Sequence, residues 1–128
     1  MTAFLRNSMA LLILWSAALD GFGQEWTRFR GPNGTGISQA KTIPTTWSEK
    51  DINWKVGLPG VGHSSPVLWG EKVFLTSADD QTGQVFVLCV NAANGAVLWQ
   101  KNFPFSKYRK HDYNSFASGS AAVDEHRV

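Results

Sequence analysis

Cysteine is nearly absent from this chain: Cys89 is the only one in 128 residues. No internal disulfide can form, and no cysteine stands in the region just after the amino-terminal apolar stretch to carry a lipid. Cys89 sits inside an apolar run, where it reads as a small buried hydrophobe rather than a reactive thiol. No apolar run comfortably reaches the roughly 20 residues that a transmembrane helix needs. Charge of one sign is also lacking. Twelve Lys and Arg stand against 10 Asp and Glu, a net charge of +2 with the signs interspersed. That balance argues against a nucleic-acid binder, which needs a strongly basic face.

The patterns that carry chemistry are equally scarce. Gly62-His63-Ser64-Ser65-Pro66 ends in proline where a hydrolase elbow needs glycine, and no neighbouring acid orients the histidine. His63 and Ser64 therefore read as capping a turn before a strand. Asp79-Asp80 lacks the alternating oxygen ligands of a calcium loop and reads as loop chemistry, with weak cation binding as the alternative. His63, His111 and His126 have no metal-ligand spacing with carboxylates or with Cys89. No glycine-rich motif joins a strand to a helix, so a nucleotide site is unsupported. No residue is assigned to catalysis, to a cofactor or to a metal. The cluster Lys107-Tyr108-Arg109-Lys110-His111 reads as a solvated loop, although it has the chemistry to grip phosphate, anionic glycan or lipid headgroups.

What is present begins with an export pattern. Arg6 precedes an apolar stretch over residues 9–19, and Gly21-Phe22-Gly23 places small residues ahead of a cut before Gln24. Residues 1–23 are expected to be a signal peptide, with an uncleaved tethering helix as the alternative. The expected localisation is periplasmic or extracellular, with no transmembrane span in the mature chain. Residues 24–50 form an amino-terminal loop segment. Within it, Trp26 to Gly36 is too rich in glycine and proline for helix or strand. Asn33-Gly34-Thr35 fits a glycosylation sequon and equally a turn.

Residues 51–128 read as strands. Ile52–Val56 carries Trp54, and Ser65–Trp69, Lys72–Ser77, Gln84–Val90 and Ala96–Lys101 follow at short intervals. The spacing predicts four antiparallel strands. Gly70-Glu71 forms one turn, and Asn91 and Asn94-Gly95 supply residues that tolerate positive φ in another. The third strand is apolar throughout, as expected where both faces are covered. Trp54 and Trp99 stand 45 residues apart in matched contexts, and both are expected in outer strands. Ser64–Val73 is mirrored by Gly119–Val128, with Ser65 over Ser120 at an offset of 55. Repetition at this period points to a β-propeller of four-stranded antiparallel blades, with about one and a half blades present. So few blades leave apolar faces uncovered, so the chain is expected to be a piece of a longer protein. The alternative is a small β-domain completed by copies of itself or by a partner.

The segment Asn91-Ala92-Ala93-Asn94-Gly95-Ala96-Val97-Leu98-Trp99 resembles the repeat of pyrroloquinoline-quinone-type propellers, Asp-Ala-x-Thr-Gly-Lys-x-x-Trp. Gly95 and Trp99 match. Asn91, Asn94 and Ala96 depart from the pattern. The flanking Trp-x-x-Phe-Arg-Gly-Pro-Asn-Gly-Thr-Gly and Gly-His-Ser-Ser-Pro-Val segments resemble exported planctomycete-type members, so the likeness spans Trp26–Val128. It marks Trp54, Asn91, Asn94, Gly95 and Trp99 as the structural repeat motif. Such propellers include quinoprotein dehydrogenases, an outer-membrane assembly scaffold and sensor domains of kinases, and a shared fold does not choose among them. The leading expectation is a non-catalytic exported module that binds or scaffolds, partnered by the rest of the propeller or by another protein. The alternatives are the amino-terminal part of a quinone-dependent dehydrogenase and a kinase-linked sensor. Pyrroloquinoline quinone with calcium is implied only by the dehydrogenase alternative.

Overall fold

The computed structural model describes residues 25–41 and 43–128, so the expected signal peptide lies outside the described residues. The fold is all-β: one sheet, in which β1 (Val67–Trp69), β2 (Lys72–Asp79), β3 (Gln84–Asn91) and β4 (Val97–Pro104) follow one another in sequence order. Every neighbouring pair is antiparallel. A three-residue 3-10 turn, Glu49–Asp51, is the remaining named element; Ser48 and Asp51 close it as a capping box. The four strands expected between residues 65 and 101 are all present with shifted ends. The last one runs further, to Pro104.

Each connection follows from its residues. Gly70-Glu71 closes β1 onto β2 with Trp69 opposite Lys72. The β2–β3 hairpin turns on Asp79, whose carboxylate accepts the backbone N–H groups of Gln81 and Thr82. The β3–β4 hairpin repeats this construction with Asn91, whose Oδ1 accepts from the backbone of Ala93 and Asn94. Asn91 and Asn94 thus work as acceptors and not as positive-φ residues; in this turn Gly95 alone takes positive φ, +74°. The side-chain acceptor satisfies amides that the turning backbone would otherwise strand, and glycine takes the left-handed position at no steric cost.

A row of residues crosses the whole sheet on one face: Val67, Phe74, Cys89 and Trp99. It forms the core cluster with Val123, flanked by Trp69 and Ala121. Trp99 reaches this face because the β3–β4 register shifts between Cys89 and Val90, pairing Val90 with Val97 and Cys89 with Trp99. The skipped residue, Leu98, is left nearly half exposed. Without that bulge, strand alternation would send Trp99 to the opposite face. On the opposite face Leu88 and Val90 are fully buried. The irregular segment carrying Trp54, Val56 and Leu58 lies against this side, lining a cavity with Val73, Leu75 and Val90.

Two expectations are corrected here. Ile52–Val56 is not a strand. No backbone ladder runs beside it, and Trp54 anchors it instead by a side-chain contact on the β3–β4 turn. Residues 119–128 likewise form no strand and no second sheet. Their one hairpin-like feature is a tight turn in which the Asp124 N–H donates to the Arg127 carbonyl (3.0 Å). That turn falls at the position equivalent to Trp69–Lys72 under the 55-residue offset. Ser65 and Ser120, equivalent under the same offset, touch: the Ser65 N–H donates to Ser120 Oγ (2.8 Å).

The edges of the sheet differ. The outer side of β1 is sealed by Trp26, which exchanges both backbone hydrogen bonds with Leu68. The outer strand β4 is largely exposed but carries the bulge at Leu98, a lysine at 101 and a proline at 104. All three features discourage pairing with a foreign strand.

Glycine substitutions test this packing. A methyl group on Gly95 would lie 2.5 Å from Trp54 Cε3, at a positive φ; one on Gly36, also at positive φ, would meet nothing within 4 Å. Gly95→Ala is expected to cost about 2–4 kcal/mol, backbone strain plus displaced indole, and Gly36→Ala only about 1 kcal/mol. Urea unfolding followed by tryptophan fluorescence reads both. Equal losses would remove the Trp54 contact from the account.

Candidate functional site

Four of the five repeat-motif residues meet at one junction. The Trp54 indole covers Gly95 and donates its Nε1–H to the Ala92 carbonyl (2.9 Å) inside the β3–β4 turn. Asn91 shapes the turn from one end: its N–H donates to the Ala96 carbonyl and its carbonyl accepts from Gly95. Asn94 accepts the Ala96 N–H on Oδ1 (3.0 Å). The Ala92 N–H in turn donates to the Glu71 carbonyl, tying this turn to the β1–β2 turn. Trp99 stands apart on the other face, tilted against Phe74 with ring centroids 6.0 Å apart. The junction is mechanical. The Oδ1 atoms of Asn91 and Asn94 and the indole N–H of Trp54 are all engaged by the backbone of this one turn.

The residues weighed for hydrolysis are also structural. Ser64 Oγ donates to the Thr76 carbonyl (2.8 Å) and accepts the Thr76 N–H (3.0 Å). A single hydroxyl thus does the work of a backbone partner on β2. It fills the gap between the Val61–Ala78 bridge and the Val67–Phe74 pair, where the chain leaves ladder geometry. His63 is exposed, and its backbone N–H, not its ring, is bonded, to Ser115 Oγ and the Ala117 carbonyl. Among the described residues, the partners of the Ser64 hydroxyl are the Thr76 backbone groups, not a general base.

The site that the sequence did not announce is a groove of about 510 Å³ on the core face. Trp69, Phe74, Val87 and Trp99 line it, Lys72 and Lys101 stand at its sides, and Phe103 and residues 123–128 complete it. Cross-strand pairing explains the set: Val87 faces Lys101 and Cys89 faces Trp99, so alternate residues of three strands share one surface. Aromatic and aliphatic walls beside two ammonium groups suit an apolar or aromatic group with a polar edge. Finding the groove from sequence required knowing the bulge, for which Val97-Leu98-Trp99 gives no local signal.

Electrostatics add little reactivity. Among the described residues, no three or more His, Cys, Asp or Glu side chains are grouped to hold a metal. Asp79 is held below its ordinary value, first by the Thr82 hydroxyl, then by the Gln81 and Thr82 amides and the charge of Lys107. Ser48 acts similarly on Asp51, and the turn amides of His126 and Arg127 on Asp124. These are turn carboxylates doing structural work. Burial pushes the Cys89 thiol up, partly opposed by Lys72. No helix among the described residues is long and apolar enough to cross a membrane. Comparison with protein-family models, with curated proteins and with solved structures finds no match to this chain.

Two measurements follow. Because the Asp79 carboxyl is depressed, its contribution is complete above the ordinary carboxylate range and lost as pH falls through the folded-state value. Acidification from about pH 5 to about pH 2.5 is therefore expected to loosen the β2–β3 turn, raising amide exchange at Gln81 and Thr82. An Asp79 carboxyl that titrates at or above the ordinary value by NMR would contradict this. Cys89 is expected to resist a thiol reagent in the folded chain at pH 8 and to react fully in denaturant. Rapid native labelling would place it outside the core.

Proposed function

We propose that this chain is a propeller-type module, exported and non-catalytic, that binds or scaffolds through its uncovered groove. The observation that carries this reading is the joining of segments related by the 55-residue offset: Ser65 bonds its equivalent Ser120, and a turn recurs at Asp124–Arg127 where Trp69–Lys72 turns. Repeated units that touch through equivalent positions are how stacked sheets propagate. The four-stranded meander, β1 to β4 in order, is compatible with one blade of such a ring. In that arrangement the groove lined by Trp69 and Trp99 is where the next element, or a partner, seats. The polar groups examined for chemistry are committed to turns and edges, which favours binding over catalysis.

The test has two arms. Residues 24–128, expressed alone, are expected to associate with themselves in sedimentation velocity, because a single sheet leaves its groove face uncovered. A monodisperse, cooperatively melting monomer would overturn the ring. Addition of pyrroloquinoline quinone and calcium is expected to leave no retained quinone absorbance and no dye-linked alcohol oxidation. Stoichiometric retention with turnover would establish the dehydrogenase alternative instead.

A further inference from the structure

Residues 81–111 contain no Asp or Glu, yet carry Lys101, Lys107, Arg109 and Lys110. The structure gathers three of these cations in the loop that follows β4. That loop is built on an aromatic stack: Phe105 lies 4.6 Å from Phe116 and Tyr108 meets Phe116 edge-on at 5.1 Å, centroid to centroid. The Lys110 ammonium sits 5.5 Å over the Phe116 ring. The Phe105 N–H donates to the Gly83 carbonyl, which fastens the loop to the β2–β3 hairpin end. It is therefore a braced surface and not a loose tail.

The exposed parts of this surface are of two kinds. Lys107 and Arg109 are exposed, and neither belongs to an ion pair; among the described residues the pairs are Lys55–Glu49 and Arg127–Asp124. Lys107 exerts its charge on Asp79 across the hairpin end, and Asp112 is the anion within the loop itself. Beside the cations, Tyr113 is 84 % exposed and Tyr108 61 %. Such amphipathic rings alternating with cations match the interface between water and lipid, where the rings sit at headgroup depth and Lys and Arg meet anionic headgroups.

The geometry points to the 105–113 surface as a peripheral docking site for an anionic lipid bilayer. A membrane suits it better than a polyanionic chain because its two tyrosine rings stand exposed on separate positions, whereas the groove that would cradle a chain lies on the core face. This inference is independent of the propeller reading, since it uses only the loop that follows β4.

The test is co-sedimentation of the full chain with vesicles of phosphatidylcholine alone and of phosphatidylcholine with one-quarter phosphatidylglycerol, at low and high salt. Preferential binding to the anionic vesicles, weakened by salt, is expected. Lys107→Gln/Arg109→Gln should reduce partitioning roughly 25-fold, about five-fold per cation. Tyr113→Ser should weaken binding at both salt concentrations, because that contribution is not ionic. Binding through the apolar stretch at residues 9–19 is common to all variants and both lipid compositions, so the differences carry the result. A heparin fragment and a single-stranded oligonucleotide serve as competing probes. Equal binding to neutral and anionic vesicles, insensitivity to the double substitution, or binding to heparin or the oligonucleotide without vesicle binding would each overturn the proposal.

Discussion

The seating of the Trp54 indole on the β3–β4 turn is the contact that docks the irregular segment 52–58 on the sheet. Residues 52–59 have no ladder to hold them. What holds them is a ring over a glycine, its N–H to the Ala92 carbonyl, the apolar contacts that continue through Val56 and Leu58, and the Ser77 hydroxyl on the Pro59 carbonyl. The close approach requires position 95 to lack a Cβ, and the turn requires it to adopt positive φ. One residue satisfies both demands, so the turn and the docking of the preceding segment stand or fall together. The covering segment lies against Val90, which is fully buried, and burying such a side chain contributes about 1.5–3 kcal/mol.

Elsewhere the chain replaces backbone pairing with side-chain oxygens. Ser64 bridges a break beside β2, Ser120 receives the Ser65 amide, Ser115 receives the His63 amide, and Ser77 donates to the Pro59 carbonyl at 2.6 Å. Among the described residues, no buried side-chain nitrogen or oxygen lacks a partner. Small hydroxyl residues allow segments to run close to a sheet without joining its ladder. The same economy explains why the serine and histidine that resemble catalytic machinery in sequence carry none of its geometry.

The strands were legible because their signals are local. Turn residues at Gly70, Asp79 and Asn91 punctuate apolar runs, and each run became a strand within a few residues of its expected ends. Ile52–Val56 misled because β-branched residues and tryptophan suit a strand without supplying a neighbour to pair with. Propensity cannot announce a partner. The mirrored segment at 119–128 misled for the same reason: its turn formed, its ladder did not. The residues that the resemblance groups together serve two different faces, Trp54 at the turn and Trp99 in the core.

Composition and pattern by themselves determined that this is a β-protein of short antiparallel strands, where its hairpins turn, and that its lone cysteine is a core residue. Those properties depend on neighbours within a few positions along the chain. Only the tertiary structure decided which face each tryptophan serves, that a groove opens beside Trp99, and that the basic loop is braced on Phe116. A one-residue slip in register reverses every side chain beyond it. That slip is set by how β4 packs against β3, across a contact no local pattern encodes.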